Sequence, residues 1–222
     1  MVCLTHIYWK RKWRCKESCL CYCIVFISLR PSIILSMASE SNIPPPQKTA
    51  ELLDEDQYWS IIHRARDAAE GLDDMEKYLI DEVEKLTPKE MVGFYFRTHD
   101  LEQKAYTSDL WCAAYIINCG ASDDGFEYFR CWLISTGKDV YHKAIEYPDS
   151  LAELLEEGNY YEFEGLTYVP ITAFENKTGL DLYDYIETIS YTLKEMEFTW
   201  EEANLESQKK ICPRLCAKFL GA

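Results

Sequence analysis

One stretch constrains this chain more than any other. From Leu110 to Ile117 it reads Leu110-Trp111-Cys112-Ala113-Ala114-Tyr115-Ile116-Ile117, with Ser108 and Asp109 before it and Asn118-Cys119-Gly120 after it. A helix that is apolar on nearly every side has no face to offer water, so it belongs at the centre of a fold, covered by other elements. Ser108 reads as its N-cap and Gly120 as its left-handed C-terminal cap. The rest of the chain must supply the cover.

The flanking sequence supplies it as amphipathic helices. Asp54 with Gln57 forms a capping-box pattern, followed at helical spacing by Tyr58, Ile61, Ile62, Ala65 and Ala69, and Gly71 stops that helix. Asp73 with Glu76 reads as the cap of a second helix striped by Met75, Tyr78, Leu79, Val83 and Leu86. Thr87-Pro88-Lys89-Glu90 combines an N-cap, a proline at the first helical position and the box glutamate, opening a third helix that carries Met91, Phe94, Tyr95 and Leu101 inward. After the central helix, Asp124 and Glu127 cap a fifth through Phe126, Phe129, Trp132 and Leu133, ending at Gly137. Lys138 to Glu146 and Ser150 to Glu157 read as two shorter helices divided by Pro148. Asn159 to Val169 alternates enough for a short strand or a loop. Pro170 reads as the start of a helix ending at Gly179, and Asp181 to Met196 stays open between helix and extended chain. Thr199 with Glu202 caps a last helix to about Lys210, which Pro213 interrupts before Leu215 and Phe219. The expected fold is mainly α, a compact multi-helix orthogonal bundle with room for one short strand or hairpin in the C-terminal half. No internal repeat is evident.

Charge divides the 222 residues. Six basic residues (Lys10, Arg11, Lys12, Arg14, Lys16, Arg30) and one acidic residue, Glu17, precede Met37; removing them from the totals leaves 17 basic against 37 acidic, a net −20 for residues 37–222. Such a surface repels phosphate backbones, which argues against nucleic acid and makes a basic protein the natural electrostatic partner. Charge of this size also serves solubility alone. Residues 1–36 form a separate basic and apolar extension, 37–51 a polar linker containing Pro44-Pro45-Pro46, and 52–222 an acidic helical domain. The apolar run Ser18 to Leu29 falls short of the ~20 residues that span a bilayer. Three readings of the extension stay open: a mis-assigned start ahead of Met37, a signal peptide with Ser36-Met37-Ala38 as its cleavage site, or a palmitoylated anchor at Cys15, Cys19, Cys21 and Cys23. A membrane enters only if that extension is retained. Cys112, Cys119, Cys131, Cys212 and Cys216 are odd in number and several sit among apolar residues, which favours reduced thiols and a cytoplasmic setting. The alternative is secretion or membrane anchoring.

At the two central helices the sequence also resembles a known family. Asp109 to Ile117, then Gly120-Ala121-Ser122-Asp123-Asp124-Gly125-Phe126-Glu127-Tyr128-Phe129-Arg130 and Trp132-Leu133-Ile134, are similar to the signature of a largely bacterial, uncharacterised family, domain of unknown function 4240 (DUF4240). Tyr58-Trp59, Pro148-Asp149-Ser150-Leu151-Ala152 and Pro213-Arg214-Leu215 also fit its pattern. The resemblance begins near Asp54, leaves out residues 1–50 and is poor from Leu180 to Glu197. It implies a compact helical domain and carries over no activity and no catalytic residue.

The residues best placed for chemistry gather around the turn between the central helices. Asp123, Asp124 and Glu127 form a carboxylate cluster able to act as acid and base or to hold a hard cation. The same residues serve equally as helix caps and as charges that offset the helix dipole by ~0.3–1 kcal/mol. Arg130, three residues after Glu127, is spaced to pair with it. Asp109 and Trp111 open the central helix and complete the candidate set Asp109, Trp111, Asp123, Asp124, Glu127 and Arg130. His99 lies beside Asp100, but adjacent helical residues face apart. Cys112 and Cys119, seven apart, read as core fillers, and Trp59, Trp111, Trp132 and Trp200 as core anchors. Nothing asks for a cofactor or a bound metal: there is no glycine-rich phosphate loop, no nucleophile elbow and no metal-ligand spacing. The expected function is an acidic binding or interaction module, with two alternatives: a small hydrolase-like enzyme using carboxylates near Asp109 and Asp123–Glu127, or an inhibitor of a basic toxin or nuclease.

Overall fold

The turn at Thr87 shows how directly local chemistry sets this backbone. Its hydroxyl accepts from the Glu90 backbone N–H at 3.3 Å while the Glu90 carboxylate accepts from the Thr87 backbone N–H at 2.8 Å, and Pro88 occupies the first helical position. Both orphan donors are satisfied within four residues of chain, with no tertiary contact required. The computed structural model describes residues 47–187 and 196–222. Seven α-helices come first: α1 (Glu55–Ala68), α2 (Leu72–Glu84), α3 (Pro88–Lys104), α4 (Ser108–Ile117), α5 (Asp123–Ser135), α6 (Lys138–Glu146) and, after a 3₁₀ turn at Pro148–Glu153, α7 (Gly165–Thr178). A second 3₁₀ turn at Leu182–Tyr185 precedes α8 (Leu205–Ile211) and α9 (Pro213–Phe219). The domain is a mainly α bundle, and among the described residues the sole β-type pairing is one isolated parallel bridge, Thr49 to Ile186.

Helix α4 is the centre that its composition demands. Leu110, Trp111, Cys112, Ala113, Ala114, Ile116 and Ile117 are all buried, and α5, α8 and α9 pack around it. Each large apolar side chain taken fully from water contributes ~1.5–3 kcal/mol. Elsewhere α2 packs on α1 and α7, and α3 on α7 and α5. The indoles of Trp59, Trp111, Trp132 and Trp200 all anchor the core. Gly93 in α3 permits a close approach: the chain at Glu51–Leu53 lies against it, with the Leu53 N–H donating to the Gly93 carbonyl at 2.9 Å. Thr49, in the segment read as linker, is buried, and its backbone bonds the carbonyl of Tyr185 and the N–H of Glu187.

Several local expectations are corrected. Thr107, not Ser108, caps α4, because Thr107 holds the extended backbone a cap requires and accepts from Leu110 N–H at 3.3 Å. At the other end Cys119 takes the left-handed conformation (φ 56°) expected of Gly120, and Gly120, itself at φ 132°, donates to the Tyr115 carbonyl at 2.8 Å. Cys119 is consequently exposed and not a core filler. Helix α2 begins at Leu72, so Asp73 sits in its first turn instead of capping it, and Tyr78 leaves the buried stripe for solvent. Ser122 caps α5 by accepting from Gly125 N–H at 3.1 Å; Asp124 and Glu127 do not form its box.

Pro170 lies inside α7 instead of starting it. A proline there removes one helical hydrogen bond, a cost of about 3 kcal/mol, which the burial of Leu166, Val169, Ala173 and Phe174 on one helix offsets. Residues 159–164 are irregular and no strand forms between Asn159 and Val169. The helix expected at Ser150–Glu157 is the 3₁₀ turn Pro148–Glu153. Asn204, not Thr199, caps α8, with Ser207 N–H donating to its side chain at 3.2 Å. The extension 1–36, the linker as far as Pro46, and residues 188–195 of the ambiguous stretch lie outside the described residues.

Candidate functional site

The candidate carboxylates do not meet in one place. Asp109 Oδ1 accepts from the Thr199 hydroxyl at 3.0 Å at the start of α4. Trp111 donates its indole N–H to the Ala121 carbonyl at 3.0 Å and stacks on Phe126, ring centres 4.6 Å apart, as a core anchor. Asp123 and Asp124 are exposed in the first turn of α5, where their charge faces the helix dipole. Glu127 and Arg130 point elsewhere, toward α3.

There they join side chains that the sequence reading passed over. Arg130 is buried. It donates to the Glu102 carbonyl at 2.8 Å and to the Phe126 carbonyl at 3.2 Å, and its guanidinium stacks over the rings of Phe126 (4.9 Å) and Tyr106 (5.1 Å). It therefore spends its donors on carbonyls, one of them in the last turn of α3, and does not form the expected pair with Glu127. Glu102 is itself buried: Cys131 donates its thiol proton to Oε1 at 2.9 Å, and His99 Nδ1 lies 3.0 Å from Oε2. Burial, and then the Glu102 charge, push the Cys131 thiol well up, so it is a protonated donor and not a nucleophile. Burial followed by the Glu102 charge also raises Glu127, with Arg130 and His99 opposing and Asp124 adding to the rise.

A ring of tyrosines adjoins this cluster. Tyr95, one turn before His99 on α3, meets the imidazole edge-on at 4.4 Å and the Tyr183 ring at 6.0 Å. Tyr168 on α7 donates to Glu164 Oε1 at 2.9 Å, and that hydrogen bond is the first cause of its raised pKa, with the charges of Glu164 and Glu127 adding. Tyr128 on α5 is pushed up to about 12, by burial first and then by the Glu164 charge beside it. Tyr168 and Tyr183 are about half exposed. The result is one face, built from α3, α5, α7 and the Leu182–Tyr185 turn, in which phenol rings stand among Glu127, Glu164 and the more deeply set Glu102. Its chemistry suits a cation. Carboxylates supply charge, and aromatic faces attract a cation by ~0.5–1 kcal/mol at exposed sites.

One signal in the sequence led here. Tyr95, His99 and Glu102 stand at i, i+4 and i+7 and share a helix face, whereas His99 was weighed only against its neighbour Asp100, which faces apart. Glu164, Tyr168 and Tyr183 had no such signal.

At the C-terminal half of α5 lies a cleft of about 450 Å³, walled by Leu72, Met75, Trp132, Val140, Leu154 and Leu155. Among the described residues, no group of three or more His, Cys, Asp or Glu side chains is arranged to hold a metal ion, and no helix is long and apolar enough to cross a membrane.

No curated protein and no solved structure matches this chain. Residues 53–176, spanning α1 to the last turn of α7 and nearly all of both surfaces described above, match the family described as Protein of unknown function (DUF4240). The chain thus belongs to the DUF4240 family, in keeping with the motifs of its central helices.

Proposed function

We propose that this domain is an acidic binding module that receives cationic side chains of a basic protein partner at the tyrosine-lined face of α3, α5 and α7. The supporting observation is the grouping of Tyr95, Tyr168 and Tyr183 with Glu127 and Glu164, where burial and then the Glu164 charge raise the Tyr128 phenol and a hydrogen bond to Glu164 raises Tyr168. A lone lysine gains little from one exposed carboxylate, ~0–1 kcal/mol, or from one exposed ring. Several such contacts in one face, within a chain of net charge −15, add up to steered and salt-sensitive association.

The test is calorimetric titration of the full chain with octalysine at low and high salt, repeated for Tyr168→Ala and Glu164→Gln. Binding should weaken with salt, and Tyr168→Ala should reduce affinity by about two- to fivefold, the equivalent of one exposed cation–π contact. Salt-sensitive binding that neither substitution alters would mean the peptide meets diffuse charge and not this face. Absence of binding at low salt would remove the basic partner altogether.

A further inference from the structure

The rings of the tyrosine face are arranged to do more than present charge. Tyr95 on α3 and Tyr183 in the Leu182–Tyr185 turn stand at 84° with ring centres 6.0 Å apart, so two aromatic walls meet at a corner. The His99 imidazole, one turn after Tyr95, meets the same ring at 4.4 Å and 74°. Tyr168 on α7 brings a further phenol to the corner. Its hydroxyl donates to Glu164 at 2.9 Å and lies near enough to Tyr183 and Glu127 for the charge of each to act on it. Tyr168 and Tyr183 are 48% and 54% exposed, so both rings keep surface toward solvent. Rings set across one another, instead of stacked in a slab, can each turn a face to a single cation within ~6 Å of their centres.

The charges that bear on these phenols are acidic. Tyr168 is raised by its hydrogen bond to Glu164, then by burial and by the charges of Glu164 and Glu127, and Tyr183 by burial and then by Asp181. Among the described residues neither Glu127 nor Glu164 is in an ion pair, and Arg130, three residues after Glu127, donates to the Phe126 and Glu102 carbonyls instead. The supply of acceptors then separates one kind of cation from another. Glu164 Oε1 already accepts from Tyr168, and the two oxygens of Glu102 face the Cys131 thiol and His99 Nδ1. A primary ammonium carries three N–H donors and a tight hydration shell, and must exchange its water for acceptors of which several are taken. A trimethylated ammonium keeps the charge and has no donor to satisfy, so aromatic faces and nearby carboxylates suffice. We propose that the corner formed by Tyr95, Tyr168 and Tyr183 is a binding site for a trimethylated lysine side chain of the basic partner, with Glu127 and Glu164 supplying the opposing charge. The inference rests on the reading of this face as a cation site. It adds selectivity for the quaternary ammonium over the plain lysine.

The experiment titrates the full chain at low salt with three capped glycine pentapeptides that differ only in the central residue. That residue is lysine, trimethyllysine, or the uncharged isostere with a tert-butyl group in place of trimethylammonium. The assigned ring resonances of Tyr95, Tyr168 and Tyr183 give both location and affinity. The trimethyllysine peptide should shift all three and bind at least about threefold more tightly than either of the others, the ratio set by roughly one exposed cation–π contact. Tyr168→Ala and Tyr183→Ala should each weaken it by about two- to fivefold. Because both rings are about half exposed, the fold should survive, as an unchanged unfolding midpoint would verify. Equal affinity for the lysine peptide at the same resonances would overturn the selectivity and leave the cation site standing. Equal affinity for the uncharged isostere would overturn charge as the selecting feature, and with it the cation reading of this face. Tighter binding that neither substitution weakens, or no shift of these rings with any of the three peptides, would overturn the corner as a site. The octalysine titration decides separately whether a basic partner binds at all.

Discussion

Replacing Gly93 by alanine sets two opposing effects of similar size against each other on α3. In an isolated helix the exchange is favourable by ~1 kcal/mol, because glycine loses more conformational entropy and alanine is the best helix former. Here a methyl group at residue 93 would lie 2.9 Å from the Leu53 backbone nitrogen, 3.2 Å from the Glu51 carbonyl oxygen and 3.3 Å from the Leu53 Cα. All three neighbours are backbone, so no side chain can swing aside; the whole 51–53 segment must lift. Lifting it breaks the Leu53 N–H to Gly93 carbonyl bond, worth ~0.5–1.5 kcal/mol net, and draws Leu53, only 4% exposed, out of the core at ~1.5–3 kcal/mol. Subtracting the helix gain leaves Gly93→Ala less stable by ~1–3.5 kcal/mol. Urea unfolding followed by circular dichroism measures this as a lower midpoint at unchanged slope. Stability equal to or above that of the parent chain would refute the reasoning, since it would mean the segment slides off α3 without loss.

Three further outcomes follow from the same kind of argument. Ser122→Ala should cost ~0.5–2 kcal/mol in urea unfolding as a lost α5 cap, while Asp124→Asn should cost no more than the ~0.3–1 kcal/mol of its dipole interaction; the reverse order would return the cap to Asp124. Glu127 has a raised folded-state pKa, so the folded chain retains a proton there that the unfolded chain has released, and stability falls as pH rises from the ordinary carboxylate value through the raised one. Glu127→Gln should therefore be the more stable form at pH 8, with the difference closing below about pH 4; a pH-independent difference would contradict this. Finally, of the five cysteines in the described residues, Cys119 should react first with a maleimide in native conditions, mapped by peptide mass spectrometry, because the other four are buried; early labelling of Cys131 would show that the Glu102 cluster opens to solvent.

What the sequence revealed and what it concealed divide along the range of the interactions involved. The Thr87–Glu90 box and the all-apolar α4 were legible because each is settled within one turn or one helix. The cap of α5 was misplaced for a local reason as well: Ser122, Asp123 and Asp124 are three consecutive acceptors, and only the backbone conformation chooses among them. Pro170 misled because a local cost was outweighed by burial across α7, an effect that depends on what packs there. At the candidate face, Glu127 and Arg130 were singled out, but their partners were not. His99 and Glu102 could have been joined through helical spacing, whereas Tyr168, Glu164 and Tyr183 arrive by chain crossings that no periodicity encodes. The Trp132 cleft likewise exists only where several helix ends come together.

The clasp between Thr49 and Ile186 gives the domain a mechanical property. Its two hydrogen bonds, 3.1 and 3.0 Å, join two chain segments running the same way, so a pull on the chain ahead of Gln47 against the chain beyond Glu187 loads them in shear. Together they resist only a few kcal/mol, far less than the packed interior. Tension from that side is thus borne first at Tyr185 and Ile186, two residues from Tyr183. Whatever pulls on the N-terminal approach therefore loads the turn that carries Tyr183, so the clasp ties that approach mechanically to the rim of the tyrosine face.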